Sequence, residues 1–380
     1  MRAADRPVSV FAFFRDHPPR RQALAQAEQG SGERYWLFGL DQLADRGAVV
    51  HHNLEPGREP TPALRRAAEL GNRALHRAGG YGGDFASVLA CRRAANAADV
   101  VYSTVDTLGI PIVLLRAARL VTPPVVYVSI GLMERIERIR SRRVRERYRA
   151  AFRKVHTVVA YHEVEADEIG AWLGAESAGG PRLVFCPFGV DTGYFSPQPD
   201  RDPDVDVVSI GADPHRDFAL LLRLAARHPE LSVRIVTSKE HAARLGATPP
   251  NVVVERDVPF AEVRDRLARA RLVCLPVEDN VLSGATTVLL QAMAMERPVV
   301  VTRTRAITTG YHLADGENCR LVPPGDADAL EAAALDLLAD AAKARALAAG
   351  ARETVVRHLD WQRYADRIWE VVSAAAGGVS

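Results

Sequence analysis

Residues 278–302 decide the fold class. They read Glu278-Asp-Asn-Val-Leu-Ser-Gly-Ala-Thr-Thr-Val-Leu-Leu-Gln-Ala-Met-Ala-Met-Glu-Arg-Pro-Val-Val-Val-Thr302. An apolar run ends at Pro276, a small polar loop follows, a helical pattern begins near Thr286, and a β-branched run starts at Pro298. A strand, a helix and a second strand in this order form a βαβ unit with parallel strands. The stretch therefore predicts an α/β fold.

The same alternation of strands and helices runs through nearly the whole chain. Predicted strands of the first half lie at 8–14, 35–39, 49–52, 98–103, 125–129, 157–161 and 183–186. Those of the second half lie at 205–211, 233–237, 252–256, 272–276, 299–302 and 319–322. Predicted helices include 218–227, 260–268, 287–294, 327–349 and 351–376. The alternation predicts doubly wound parallel sheets that bind ligands at the carboxyl ends of their strands.

The length of 380 residues suits two domains of comparable size. Between the two halves, residues 188–204 are rich in Pro, Gly and Asp, a composition typical of turns and linkers. We therefore predict a first domain at 1–195, a second at 196–357 and a C-terminal helix at 358–380.

Composition and charge exclude several classes of protein. Apolar residues make up 48% of the chain and charged residues 25%, which excludes wholesale disorder. The net charge of +2 argues against a nucleic-acid binder that relies on a global positive field. No stretch approaches the roughly 20 apolar residues of a membrane-spanning helix, and the N-terminus lacks the order of a signal peptide, so we expect a cytoplasmic protein. The bias to arginine over lysine, with abundant alanine, suggests a GC-rich bacterial genome.

The four cysteines stand far apart and have no histidine at metal-ligand spacing beside them. We therefore expect buried, reduced thiols and no metal site.

The loop formed by Ser283, Gly284 and Ala285 precedes a helix that opens at Thr286. Free backbone N–H groups at the positive end of a helix bind phosphate or another anion, and a pyrophosphate would fit there. A plain strand-to-helix turn, in which Ser283 or Thr286 caps the helix, explains the same residues.

A second candidate is the turn that follows the first strand of the second domain. Gly211 permits a tight turn, and Arg216 supplies a fixed positive charge for a diphosphate. The alternative is a local ion pair between Arg216 and a neighbouring aspartate.

Four ordered segments together resemble the retaining GT-B glycosyltransferases of family 4: residues 188–197, the turn from Gly211 to Arg216, residues 283–302 and residues 315–326. The resemblance implies two Rossmann-like doubly wound domains that face each other across a cleft. It implies a UDP- or GDP-linked sugar held mainly by the second domain, an acceptor site on the first, a C-terminal helix that returns to the first, and no metal or other cofactor.

The resemblance also implies roles for individual residues of the second domain. Arg216 stands where the family places its basic diphosphate ligand. The family's paired glutamates fall on Ser283 and Gln291. Ser283 would then contact the sugar, and Gln291 would contact the ribose through an uncharged side chain. Arg216 and the backbone amides of 284–287 would stabilise the leaving group. The predicted donor-binding residues are Gly211, Arg216, Thr237, Ser238, Lys239, Val258, Ser283, Gly284, Ala285, Thr286, Thr287 and Gln291.

On the first domain the expected acceptor site is less defined. Ser129 stands where the family often has a histidine, and Asp106 follows a strand end as a candidate carboxylate for catalysis. The glycine-rich segment 81–84 either helps to form the acceptor mouth or is a helix start capped by Asp84.

Residues 135–155 carry many arginines around one apolar face, the pattern of a basic amphipathic helix. An ordinary solvated helix, contact with an anionic membrane and binding of an anionic acceptor or partner all stay open.

The leading hypothesis is a retaining glycosyltransferase that moves a sugar from a nucleotide-diphospho-sugar to a hydroxyl acceptor, either a natural product or a cell-envelope glycan. The alternatives are a catalytically silent GT-B protein that binds a partner or a nucleotide sugar, and a nucleotide-sugar epimerase or a phosphorylase-like enzyme on the same fold.

Overall fold

The computed structural model describes residues 6–28, 34–174, 179–282 and 285–377 of the chain. Ser283 and Gly284, two of the predicted donor-binding residues, lie outside these described residues.

The chain divides into two compact units. The first comprises residues 1–186 and 364–380, and the second comprises 187–363. The segment 187–195, which we predicted in the first domain, lies in the second unit. There the N–H of Val190 donates to the carbonyl of Leu359 at 2.9 Å, and Phe195 is buried in the apolar core.

A parallel six-stranded sheet with the order β2-β1-β3-β4-β5-β6 forms the centre of the first unit. Its strands are β1 (Val8–Phe13), β2 (Ala48–His52), β3 (Val100–Ser103), β4 (Val125–Ser129), β5 (Thr157–Ala160) and β6 (Arg182–Phe185). Its helices are α1 (Pro18–Glu28), α2 (Pro62–Arg77), α3 (Phe85–Ala90), α4 (Arg92–Asn96), α5 (Asp106–Ala117), α6 (Leu132–Glu137), α7 (Arg142–Phe152) and α8 (Glu163–Leu173). The central strands β3, β4 and β5 are buried along their whole length, which explains their nearly continuous apolar sequences.

The second unit contains a parallel six-stranded sheet with the order β12-β11-β10-β7-β8-β9. Its strands are β7 (Val205–Ile210), β8 (Val233–Thr237), β9 (Val252–Arg256), β10 (Ala270–Leu275), β11 (Val299–Thr302) and β12 (Arg320–Val322). Its helices are α9 (Phe218–Arg227), α10 (Lys239–Ala242), α11 (Phe260–Ala268), α12 (Thr286–Ala294), α13 (Arg305–Thr308), α14 (Ala327–Ala339) and α15 (Ala341–His358). From β9 across to β12 this is the Rossmann strand order 3-2-1-4-5-6. The predicted α/β class is confirmed.

The last helix, α16 (Trp361–Gly377), begins in the second unit and continues in the first. Within the first unit it packs beside β5, where the hydroxyl groups of Tyr364 and Tyr161 lie 3.0 Å apart.

Three sequence predictions of secondary structure are wrong. The predicted helix at 351–376 is not one helix, because α15 continues through residue 351 to His358 and α16 begins only at Trp361. Residues 35–39 are not a strand, because Arg34–Leu37 is a short 3₁₀ helix and both Phe38 (φ 55°) and Gly39 (φ 75°) leave the extended region. The predicted helix at 327–349 is two helices, because Asp340 adopts an extended conformation (φ −115°) and its carboxylate caps α15 by accepting from the N–H of Ala342 and Lys343.

The predicted basic amphipathic helix is also interrupted. Helix α6 ends at Glu137, and Ser141 starts α7 by accepting a hydrogen bond from the N–H of Val144 at 3.4 Å. The arginines of this segment therefore lie on two short helices and the link between them.

The four cysteines are buried and unpaired, as expected. Burial raises the pKa of Cys186 and of Cys274 to about 12 each, so both thiols stay protonated and unreactive at neutral pH.

Candidate functional site

The sheet of the second unit has its topological switch point between β7 and β10, the two adjacent strands whose connections leave in opposite directions. The loops that follow these strands are bonded to each other. The N–H of Glu278 donates to the carbonyl of His215 at 2.9 Å, and the N–H of Asp217 donates to the carbonyl of Pro276 at 3.1 Å. Ligands of open α/β sheets bind at this position, so the joined loops form the candidate site.

Arg216 lies at the centre of these loops and is only 7% exposed. Its Nη2 donates to the Ser209 hydroxyl at 3.0 Å and to the carbonyl of Ile210 at 2.6 Å. Its Nε and Nη1 are shielded from solvent and have no hydrogen-bond partner among the described residues. Burial lowers the pKa of the guanidinium to about 10, so it still carries its charge at neutral pH. A buried cation with unmet donors is costly unless an anion binds to it.

Gly211 makes room for this arginine. A Cβ at position 211 would lie 2.8 Å from the Nε of Arg216, inside van der Waals contact. The turn therefore needs glycine because the guanidinium folds back over the strand end.

Strand β8, the neighbour of β7, supplies the second group of predicted donor-binding residues. Thr237 is 5% exposed, and its hydroxyl has no partner among the described residues. The hydroxyl of Ser238 accepts a hydrogen bond from the N–H of His241 and so caps α10. Lys239 is exposed, and its N–H donates to Asp257 at 3.2 Å. Val258 packs against the apolar core of the unit. Of these four, Thr237 offers a buried, unused polar group.

Helix α12 follows β10 and carries the remaining predicted residues. Ala285 precedes the helix in a left-handed conformation (φ 55°), and its methyl group cannot cap the helix. Thr286 and Thr287 lie half-buried in the first turn. Gln291 is 2% exposed, and its side-chain oxygen has no partner in the described part of the chain. The second unit therefore has buried, unsatisfied polar groups on Thr237 at the end of β8, on Arg216 in the loop after β7, and on Gln291 within α12, the helix that follows β10.

In the first unit, Asp106 and Ser129 lie at the carboxyl ends of the neighbouring strands β3 and β4. Asp106 is 1% exposed and accepts hydrogen bonds from the Tyr127 hydroxyl, from the N–H of Ile130 at 3.2 Å and from Nε of Arg135 at 3.0 Å. Burial raises the pKa of this carboxyl despite these donors. Both of its oxygens are therefore occupied by the protein in this structure.

Ser129 is fully buried and donates to a carboxylate that the sequence analysis missed. Its hydroxyl lies 2.5 Å from Oε1 of Glu165, which also accepts from the N–H of Gly131 at 3.1 Å. Burial raises the pKa of Glu165 to about 7. Helix spacing could have revealed this residue, because Glu165, Ile169 and Leu173 recur every four residues along the buried face of α8.

Segment 81–84 lies beside Arg135, the residue that donates to the Asp106 carboxyl group. Asp84 caps α3 by accepting from the N–H of Ser87 at 2.9 Å, which is the capping role considered above. The Tyr81 hydroxyl accepts from Nη1 of Arg135 at 3.1 Å, and the Arg135 guanidinium lies over the Tyr81 ring. Tyr81 and Arg135 therefore link the buried Asp106 to the surface.

Two kinds of structural feature are absent from the described residues. No three His, Cys, Asp or Glu side chains there are grouped as a metal site would need. None of the described helices is both long and apolar enough to cross a membrane.

The family model and the curated relatives that match this chain all describe glycosyltransferases. The family described as Glycosyl transferases group 1 matches residues 215–340. The chain is 29% identical over 210 residues to an MMP alpha-(1->4)-mannosyltransferase of Mycolicibacterium hassiacum, a match that covers 52% of this chain and 50% of that one. It is also 29% identical over 225 residues to a GDP-mannose-dependent alpha-(1-6)-phosphatidylinositol monomannoside mannosyltransferase of Mycolicibacterium smegmatis, covering 52% and 58%. The chain thus spans about half the length of the curated relatives it matches.

Solved structures match over almost the full chain. Sucrose-phosphate synthase from Thermosynechococcus elongatus has a TM-score of 0.68 at 16% identity and covers 97% of this chain and 100% of its own. HepE of Anabaena, solved with UDP-glucose, has a TM-score of 0.65 at 16% identity and covers 96% and 99%. At this identity the match establishes the fold. The fold is of the GT-B type, and residues 215–340 of the second unit are similar to the family Glycosyl transferases group 1.

Proposed function

We propose that the chain is a glycosyltransferase that moves a sugar, with retention of anomeric configuration, from a nucleoside-diphosphate sugar to a hydroxyl acceptor. One observation carries this proposal. The guanidinium of Arg216 is buried at the switch point of the second sheet with two donor nitrogens that no described residue satisfies. A diphosphate is a ligand whose charge and acceptor oxygens would fit both needs.

The same arrangement suits the chemistry of the transfer. The bond between the anomeric carbon and the β-phosphate oxygen breaks, and negative charge grows on the diphosphate. Arg216 and the amides at the start of α12 would stabilise that charge more in the transition state than in the bound donor. The acceptor oxygen forms the new bond to the anomeric carbon, and its proton passes to the departing phosphate, so this scheme needs no protein base.

The donor is a UDP- or GDP-linked hexose in this proposal. Support comes from the names of similar proteins, since one mannosyltransferase relative is GDP-mannose-dependent and HepE was solved with UDP-glucose. Gln291 would contact the ribose through its unsatisfied side-chain oxygen, which accepts a hydrogen bond from a hydroxyl but carries no charge.

A panel of nucleotides tests the proposal directly. Thermal unfolding is measured with GDP, UDP, ADP, GDP-mannose and UDP-glucose, and release of the nucleoside diphosphate is then followed with hydroxyl acceptors. A GDP or UDP compound should stabilise the protein by about 2.7 kcal/mol at a concentration one hundred times its Kd. Stabilisation without turnover would favour the catalytically silent alternative. A protein that none of the five compounds stabilises would contradict a donor site at Arg216.

We also propose that the basic segment 135–155 contacts an anionic membrane surface. Four exposed arginines of this segment have no acidic partner among the described residues. They are Arg140, Arg142, Arg143 and Arg147. Basic side chains near an anionic bilayer contribute about 1 kcal/mol each.

The double variant Arg142→Gln, Arg143→Gln should therefore bind phosphatidylglycerol vesicles about thirtyfold more weakly than the wild type, as measured by co-sedimentation. Replacing Arg223 and Arg345, two exposed arginines of the second unit, gives the matched control and should leave binding unchanged. Equal binding of the wild type to neutral phosphatidylcholine vesicles would contradict an electrostatic membrane contact.

A further inference from the structure

The sheet of the first unit has its own switch point, between β1 and β3. Strands β2 and β3 lie on opposite sides of β1, so the chain leaves β1 in one direction and later returns past it in the other. Sheets with this strand order bind ligands at the carboxyl ends of these two strands. The backbone that follows β1 is ordered there, because the side chain of Asn53 accepts from the N–H of Phe14 at 2.7 Å and donates to its carbonyl at 2.9 Å. A ligand at this edge would meet a fixed loop.

Arg20 lies on α1, the helix that follows this loop, and is only 5% exposed. Its Nε donates to the carbonyl of Trp36 at 2.9 Å, and its Nη1 donates to the carbonyl of Arg15 at 2.7 Å. The guanidinium carbon lies 5.5, 5.9 and 5.3 Å from the ring centres of Phe14, Trp36 and Phe38. The third nitrogen, Nη2, has no hydrogen-bond partner in the described part of the chain. These contacts therefore orient the guanidinium and leave Nη2 to a ligand.

The contacts of Arg20 supply no negative charge. Burial lowers the pKa of its guanidinium to about 10, and the charge of Arg15 acts in the same direction, so the group still carries its charge at neutral pH. The neighbouring carboxylate, Asp16, is paired with Arg21 through two hydrogen bonds. Neither Arg20 nor Arg15 has an acidic partner among the residues described. A buried cation of this kind is stabilised when an anion binds to it.

The start of α1 offers no backbone donor to such an anion. Pro18 and Pro19 have no N–H, and the N–H groups of Arg20 and Arg21 both donate to the carbonyl of His17, at 3.0 and 3.1 Å. Helices that bind phosphate do so with free amides of their first turn. An anion at this edge would therefore depend on the Arg20 side chain.

We propose that the first unit binds a small molecule through a phosphate group, which bonds to Nη2 of Arg20 at this switch point. Two arginines without acidic partners favour a phosphate monoester, which carries about two negative charges at neutral pH, over a carboxylate, which carries one. The site belongs to the first unit alone, and the donor site proposed above belongs to the second. The inference therefore goes beyond the proposed function and does not depend on it.

The test uses three probes in a buffer free of phosphate: mannose 6-phosphate, glucuronate and neutral mannose. Calorimetric titration of the wild type should show binding of mannose 6-phosphate that weakens as salt rises, because the contact joins two charges. Glucuronate should bind about tenfold more weakly, and mannose should not bind. The proposal is overturned if mannose 6-phosphate does not bind, or if either of the other two probes binds as tightly.

Arg20→Met should weaken binding of mannose 6-phosphate about tenfold to a hundredfold, because it removes charge-assisted hydrogen bonds. Arg116→Met is the matched control. Arg116 is half-buried in the same unit and likewise donates to backbone carbonyls, those of Lys154 and Thr122, both at 2.8 Å. It lies at the end of α5, at the opposite edge of the sheet, so its loss should leave the affinity unchanged.

Arg15→Gln keeps the test decisive if Arg20→Met does not fold. The side chain of Arg15 is exposed, and the carbonyl that accepts from Arg20 stays in place. Loss of its charge should weaken binding of mannose 6-phosphate about threefold and make the affinity less dependent on salt. Wild-type affinity in Arg15→Gln, or in a folded Arg20→Met protein, would overturn the proposal.

Variants of the two units separate this inference from the proposed function. Arg216→Met should lose binding of GDP or UDP and keep binding of mannose 6-phosphate, and Arg20→Met should do the opposite. If Arg216→Met alone loses mannose 6-phosphate, the phosphate binds at the donor site and the inference is overturned. If no nucleotide binds the wild type but mannose 6-phosphate binds through Arg20, the donor site fails and the inference stands.

Discussion

Replacing Arg216 with methionine is expected to weaken binding of the nucleoside diphosphate by about a hundredfold to a thousandfold, because a buried guanidinium that bonds a diphosphate contributes charge-assisted hydrogen bonds. The same change should leave the free energy of unfolding of the ligand-free protein unchanged within about 1 kcal/mol, or raise it. Arg216 is buried without an anionic hydrogen-bond partner among the described residues, and apolar replacements of such charges are often neutral or stabilising. Calorimetric titration with GDP and UDP measures the first effect, and chemical denaturation the second.

Arg264→Met is the matched control for this variant. Arg264 also belongs to the second unit, donates to a backbone carbonyl, that of Tyr194 at 3.1 Å, and lies over an aromatic ring. It belongs to α11 and not to the loops after β7 and β10 that form the candidate site, so its loss should not change nucleotide affinity. An Arg216→Met protein that binds the nucleotide normally, or that loses several kcal/mol of stability while retaining binding, would show that Arg216 supports the fold and does not hold the ligand.

The fold could be predicted from the sequence where local pattern and tertiary environment agree. Strands such as β3 and β4 are buried along their whole length, so their valine-rich sequences indicate buried strands of a parallel sheet. The pattern was misleading at residues 35–39. There apolar side chains pack around the buried Arg20, whose Nε donates to the carbonyl of Trp36, and the left-handed Phe38 cannot be read from composition.

Some features of the candidate site could likewise be predicted from the sequence, and others could not. Gly211 and Arg216 could be predicted because they lie six residues or fewer from the end of β7, where the strand position alone places them at the binding edge. The partners of Glu165 could not be predicted, because Ser129 and Gly131 are more than thirty residues away and meet it only through the pairing of β4 with β5. A glutamate on a buried helix face is a sign of such a partner, but the sequence does not say which residue it is.

A second large effect is expected from Glu165→Gln, in the dependence of stability on pH. Burial, together with the charges of Asp106 and Glu168, raises the pKa of Glu165 from its ordinary value near 4.5 to about 7, and the Ser129 hydroxyl and Gly131 N–H only partly oppose this. The folded protein therefore holds a proton between about pH 4.5 and pH 7 that the unfolded chain has released. In that window the free energy of unfolding of the wild type falls as pH rises, by about 1.4 kcal/mol per unit and about 3 kcal/mol in total. The stabilising contribution is complete below about pH 4.5 and is lost once the pH passes 7.

Glutamine at position 165 does not titrate, so the variant should lack this contribution to the slope. Its free energy of unfolding relative to the wild type should rise by about 3 kcal/mol between pH 4.5 and pH 8, measured by urea denaturation at fixed ionic strength. Asp106, Glu168, Tyr127 and Arg135 remain in both proteins, so the difference between the two curves reports mainly on Glu165. Glu163→Gln removes an exposed glutamate from the same helix and should follow the wild-type curve. Parallel curves for Glu165→Gln and the wild type would mean that Glu165 is ionised throughout this range.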